Sequence, residues 1–185
     1  MMSNLDGNQA VDTSDSPELP DPQPNQQEWV VIRTRPRCEK KVARFCEVKS
    51  TCVYLPLLSR THQYGGRTRT FTSPLFSGYV FALLDLSDMG GVQQHQNVAR
   101  LIRTLDQAGL VEQLRAVQKA LHESELVEVL PYLATGRRVV VKSGPLKGSE
   151  GVIERRKGKT RVIINVEMIQ HSVAIEVDSQ LLAPL

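Results

Sequence analysis

With 185 residues, 41% of them apolar but only 5% aromatic, the chain can build one ordinary core or two small ones. No run of about 18 apolar residues occurs, which excludes a membrane-spanning helix, and no basic start leads into an apolar stretch as in a secretory leader, so a cytoplasmic setting is expected. The formal charge of +3 hides a division: residues 1–28 hold six acidic side chains (Asp6, Asp12, Asp15, Glu18, Asp21, Glu28) and no Lys or Arg, leaving 23 basic against 14 acidic residues elsewhere. Between Trp29 and Ala82 the count is ten basic to two acidic, a density suited to phosphate contact.

The acidic head also contains Pro17, Pro20, Pro22 and Pro24 and almost no bulky apolar side chain, so it has little to offset the entropy of ordering; a disordered tail is expected over 1–27. Trp29 to Thr34 (WVVIRT) is an apolar run that predicts a buried strand. Pro36 falls where a first helical position would lie. Val42, Phe45 and Cys46 then recur at spacings of three and four, with Arg37, Lys40, Lys41 and Arg44 on the other sides, which predicts an amphipathic helix with a basic face. Cys52 to Leu55 predicts a second strand, stopped by Pro56. The polar stretch Leu57 to Thr72 carries the turn signal Gly65-Gly66 and predicts a projecting hairpin. Leu75 to Ala82 (LFSGYVFA) predicts an aromatic strand, in which Phe76 points away from Tyr79 and Phe81 unless Gly78 hosts a bulge.

Gly90-Gly91 interrupts the next segment, and Val98 to Thr104 predicts a further strand. Leu110, Val111, Leu114, Val117 and Leu121 form a helical stripe, and Glu123 to Tyr132 reads as a linker. Beyond Thr135, five short strands are expected at 137–142, 150–155, 161–166, 172–177 and 181–182, with turns at Gly144-Pro145, Lys157-Gly158-Lys159 and Asp178-Ser179. That many strands in about fifty residues suits a small SH3-like barrel. The expected fold class is therefore α+β: a tail (1–27), an antiparallel-sheet domain with flanking helices (28–122), a linker (123–133) and a small β-barrel (134–185).

Catalytic and metal signals are missing. The histidines His62, His95, His122 and His171 lie in unrelated segments, no glycine-rich phosphate loop ends in Gly-Lys-Ser/Thr, and no nucleophile motif occurs. Cys38, Cys46 and Cys52 are odd in number and lack metal-site spacing, which predicts reduced thiols. No cofactor is expected, and the chain reads as a non-enzyme.

Gly136 to Ile153 resembles a KOW motif. Together with Trp29–Phe45 (WVVIRTRPRCEKKVARF) and Pro74–Phe81 (PLFSGYVF), in that order and at those distances, it makes residues 28–185 resemble the NusG family of transcription elongation factors, whose N-terminal domain is termed NGN. The Arg-Pro-Arg stretch before Glu39 is most similar to the specialised RfaH-like and UpxY-like paralogues. The chain departs from them at Ser77, where Pro is usual, and at Gly90 to Gln93, where a Thr-rich run often touches the polymerase β subunit. The resemblance implies a monomer that suppresses pausing and termination. Pro74, Leu75, Phe76, Tyr79 and Phe81 would dock on the β′ clamp helices of RNA polymerase. Arg35, Arg37, Lys40, Lys41 and Arg44 would meet upstream DNA, and His62, Arg67 and Arg69 of the hairpin the non-template bases. Met168 and Ile169 of the barrel would grip Rho or NusE. A KOW-containing ribosome- or RNA-binding protein is the alternative.

Overall fold

The computed structural model describes residues 18–185 other than 51, 65–66, 124–126, 134–135 and 157–158, with no side chains described at 60–64, 67–69 and 156. Strands β1 (Gln27–Thr34), β2 (Cys52–Tyr54), β5 (Tyr79–Asp85) and β6 (Val98–Ile102) form an antiparallel sheet in the order β2-β5-β1-β6. Helix α1 (Glu39–Glu47) and the short α2 (Met89–Gln93) cover one face, and α3 (Gln107–Glu123) covers the other. Sheet residues alternate between the two layers: Val30, Ile32, Val80, Ala82 and Leu84 pack with Val42, Ala43 and Cys46 of α1, while Trp29, Val31, Phe81 and Leu83 belong with Leu110, Leu114 and Val117 of α3. Burial on both faces explains why the first strand reads as a continuous apolar run rather than an alternating one.

Between β2 and β5, strands β3 (Leu57–Tyr64) and β4 (Arg67–Pro74) pair as a separate two-stranded ribbon. The register Tyr64 opposite Arg67 leaves a two-residue connection at Gly65-Gly66, as the turn signal implied, although that turn itself lies outside the described residues. Lys40 Nζ of α1 donates to Thr72 O and Oγ1, both at 3.2 Å, and fastens the base of the ribbon to the helix.

The C-terminal part is a six-stranded antiparallel sheet: β12 (Leu182–Pro184), β8 (Arg137–Val141), β9 (Glu150–Arg156), β10 (Lys159–Val166), β11 (His171–Glu176) and β7 (Val127–Pro131), in that order. Its inner face gathers Val139, Val141, Val162, Ile164, Val166, Val173 and Ile175, the arrangement of a KOW barrel-like domain. Gly151 is fixed by a close approach: a Cβ there would lie 2.5 Å from Ile163 O on the neighbouring strand.

Several expectations are corrected. The tail reading fails from residue 18 onward, while residues 1–17 lie outside the described residues. Leu19 is 2% exposed within the α3 layer, the Trp29 indole N–H donates to Pro20 O at 2.9 Å, and the Arg115 guanidinium holds Leu19 O at 2.9 and 2.5 Å. Asp21 sits 3.1 Å from the same guanidinium. An acidic, proline-rich segment is thus strapped to the body by one apolar side chain and one arginine. The segment read as a linker contains β7, because Val127 and Val129 bring apolar side chains to the edge of β11. Pro36 opens a turn rather than the helix: Cys38 N bonds Arg35 O at 3.1 Å, Arg37 takes φ 60°, and α1 starts at Glu39. The glycine pair 90–91 lies within α2, where buried Val92 outweighs poor helix propensity.

The three cysteines are free. Burial, then the charge of Glu47, pushes the Cys46 thiol up to about 11, and burial also raises that of Cys52. At pH 8 Cys46 is therefore expected to resist alkylation until denaturant opens the fold, as peptide mass mapping of iodoacetamide-treated protein would read; rapid labelling of Cys46 would contradict its burial between α1 and the sheet.

Candidate functional site

The site is assembled where α1, the β1 end and the turn entering β5 meet. Phe76-Ser77-Gly78 is not strand but turn: Tyr79 N bonds Phe76 O at 3.2 Å and Gly78 holds φ +83°, a conformation that an L side chain rarely adopts. The turn is pinned at both backbone groups of Gly78, whose N–H donates to Glu39 Oε1 at 2.6 Å and whose O accepts from Thr34 N at 2.9 Å. Glu39, one of the two acidic residues between Trp29 and Ala82, is 7% exposed and turned inward as a structural acceptor. Because the turn resets the alternation, Phe76 and Phe81 lie in the same layer, with edge-on rings 6.2 Å apart. Phe81, flanked also by Tyr54 at 6.2 Å, is a core residue of its own domain.

Tyr79 is half-buried, and the Arg33 guanidinium stands 4.5 Å above its ring. From there a basic surface extends outward: Arg33, Arg35, Arg37, Lys40, Lys41 and Arg44 are all exposed. Among the described residues none of these six has a carboxylate within ion-pair distance, whereas Arg103, Arg115, Arg138, Lys159 and Arg161 each have one. With Glu39 withdrawn, exposed Glu47 is the carboxylate that α1 sets against these six cations, and the field of this face stays strongly positive. The ribbon backbone carries His62, Arg67 and Arg69 out from it, His62 and Arg69 directly opposite each other in register. These residues' side chains lie outside what is described.

The barrel occupies the other side of the turn. The His171 ring stands edge-on to Phe76 at 6.1 Å and to Tyr79 at 6.0 Å, and its Nδ1 lies 2.6 Å from Ile169 O. Ile169, in the helical turn Glu167–Ile169, is 3% exposed, and Met168 packs against the same cluster that contains Leu75 and Phe76. A direct hydrogen bond joins the domains as well, from Glu167 N to Gln113 Oε1 of α3 at 3.0 Å. The aromatic turn and the barrel loop, expected as docking points for different partners, are therefore packed into one continuous apolar cluster. Phe76 is 1% exposed in this arrangement. His171, Leu19 and Arg115 are the residues that sequence reasoning missed. His171 lies in no motif, and its position is set only by how the two domains meet.

The chain thus combines a helix-flanked antiparallel sheet bearing a basic face with a separate barrel-like β-domain. The profile of the family described as "Transcription termination factor nusG" matches residues 27–129, more than half of the chain. The protein belongs to the NusG family of transcription factors, and its kind of function is transcription elongation; members of this family are not enzymes. Among solved structures, Thermotoga maritima NusG, in a description of its domain interaction, is similar with a TM-score of 0.49 and 16% identity over 86% of this chain and 97% of that one. The MjSpt4:Spt5 complex in its conformation B is similar with a TM-score of 0.30 and 17% identity over 85% of this chain and 96% of that one. No curated protein matches significantly. Among the described residues no helix is long and apolar enough to cross a membrane.

Proposed function

We propose that this protein is an elongation and antitermination factor that docks the Pro74–Tyr79 turn on the β′ clamp helices of RNA polymerase and lays its basic face along upstream DNA. The observation that carries this reading is the contiguity of the two surfaces: Arg33 belongs to the basic face and covers the Tyr79 ring, and Tyr79 and Phe76 both pack on the His171 ring. Leu75, Phe76 and Tyr79 form the contact, Pro74 fixes its edge, and Phe81 supports it from beneath. Docking across the cleft favours a closed clamp, which shifts the polymerase away from paused states by the difference in affinity for the two. In the closed arrangement of the protein the contact is covered, so its apparent affinity falls with the fraction of open molecules. Met168 and Ile169, uncovered by the same opening, are the proposed grip on Rho or NusE. Kinship with the RfaH-like and UpxY-like paralogues is proposed on the Arg-Pro-Arg stretch, 35–37.

Neutralising Arg35, Lys41 and Arg44 together is expected to weaken DNA binding equally for all sequences and to flatten its salt dependence, since each lost phosphate contact removes about 0.7–0.9 from the slope of log K against log salt. Replacing His62, Arg67 and Arg69 is expected instead to reduce discrimination between a target and a scrambled non-template strand. Titrations on an elongation complex at two salt concentrations read both. An unchanged slope in the first variant would remove the basic face from the DNA contact.

A further inference from the structure

The segment joining the domains is built into the barrel. Helix α3 ends at Glu123 and β7 begins at Val127, so only residues 124–126 connect the two domains while β7 is docked. β7 pairs with β11 along its whole length, from Val127 opposite Ile175 to Pro131 opposite His171. The pairing continues past the strand. Tyr132 N donates to Gln170 O at 3.2 Å, Leu133 N to Ser172 Oγ at 3.3 Å, and Asn165 Nδ2 to Leu133 O at 3.0 Å; fully buried Ser172 closes the group by donating to Asn165 Oδ1 at 2.6 Å. Side chains fasten both faces. Val127 and Val129 pack on the inner cluster, while Leu130 and Leu133 pack on an outer apolar patch of Val152, Ile163 and Ala174. Glu128 Oε2 meets Arg161 NH2 at 2.6 Å, and that guanidinium is 7% exposed.

Tether length then couples two events. Four Cα steps from Glu123 to Val127 reach at most about 14 Å, whereas release of β7 and its extension frees residues 124–136 to reach about 45 Å. A helical hairpin is about 20 Å across, twice the diameter of one helix. Admitting such an object at Phe76 and Tyr79 needs the longer tether. The residue at the far end of the ladder is His171, the one whose ring covers those two aromatics.

We propose that β7 is a releasable latch: full separation of the domains occurs together with the peeling of β7 from β11, and the same event uncovers the Val152, Ile163 and Ala174 patch and the edge of β11. The inference rests on the proposed docking of a helical hairpin at this turn, whereas amide exchange tests the latch without that partner.

Amide exchange on the full-length protein tests it, because Glu167 N–H reports the interdomain bond to Gln113 and Tyr132 N–H reports the latch. In the unmodified protein the two amides are expected to exchange with the same protection. A V129C/V173C pair, directly opposite in register and at a spacing that suits a disulfide, should slow both by more than about tenfold when oxidised and restore them when reduced. Leu130→Asp should speed both by about tenfold while leaving Val162 to Ile164 of β10 protected. Should that variant lose protection in β10 as well, the disulfide arm decides alone. Glu167 exchanging at the unmodified rate in the oxidised protein would overturn the proposal, as would acceleration of Tyr132 without Glu167 in Leu130→Asp.

Discussion

Deleting residues 1–24 is expected to lower the melting temperature by about 5–10 °C, although the segment is acidic, proline-rich and outside any regular element. Leu19 is almost fully buried in the α3 layer, and burying a leucine side chain contributes about 1.5–3 kcal/mol. Its removal also strands two donors that the fold has placed for it: the Trp29 indole N–H, which bonds Pro20 O, and the Arg115 guanidinium, which bonds Leu19 O. A buried donor left without its partner costs a further 1–3 kcal/mol or so, and each kcal/mol moves the midpoint of a domain of this size by about 2–4 °C. Leu19→Asp in the full chain should reproduce most of the loss, whereas deleting 1–16 should leave the midpoint nearly unchanged. Calorimetry of the three proteins reads the pattern. A midpoint unmoved by deletion of 1–24 would mean that the strap contributes nothing to the fold.

Phe76→Ala is expected to destabilise the protein by about 3–5 kcal/mol, the range for truncating a fully buried phenylalanine. Its ring is 1% exposed and meets Phe81 from one domain and His171 from the other, so the cavity opens where the two domains join. Loss of polymerase binding by this variant would be ambiguous for that reason. His171→Ala separates the effects. It removes an aromatic contact to each of Phe76 and Tyr79, each worth about 0.5–1.5 kcal/mol, without touching the core of the sheet. Denaturant titration should show a loss about half as large for His171→Ala as for Phe76→Ala, together with greater exposure of the aromatic turn. Equal losses would place His171 in the barrel core rather than at a separable interface.

How much was legible in the sequence follows from the range over which each feature is decided. The WVVIRT strand, the α1 stripe of Val42 and Cys46, the α3 stripe from Leu110 to Val117 and the barrel strands are set by apolar spacing within one element, and all were readable. The two-residue hairpin connection followed from Gly65-Gly66 because turn chemistry is local. Leu19 was not readable, since composition averages six acids and four prolines against two leucines, and the pocket that receives Leu19 lies some ninety residues away on α3. β7 was missed for the same reason: Val127 and Val129 form too short an alternation to signal a strand until the edge of β11 is supplied. At the site, the basic residues were found as a set because their density is a sequence property. The inward role of Glu39 was not readable because its partner, the Gly78 amide, is brought to it only by the turn before β5. The joint burial of Phe76, Tyr79 and Ile169 is a property of the domain contact and leaves no trace in either segment alone.

The central claim is that the turn from Pro74 to Tyr79 receives a polymerase helical hairpin and that the barrel covers it in the resting protein. Nuclear magnetic resonance titration of the full-length protein with the isolated β′ clamp hairpin, in parallel for the unmodified and His171→Ala forms, tests both halves at once. The expected result is perturbation of Leu75, Phe76, Gly78 and Tyr79 amides in both proteins, with tighter binding by His171→Ala. Perturbations confined to other surfaces, or no binding even by the opened His171→Ala form, would contradict the account.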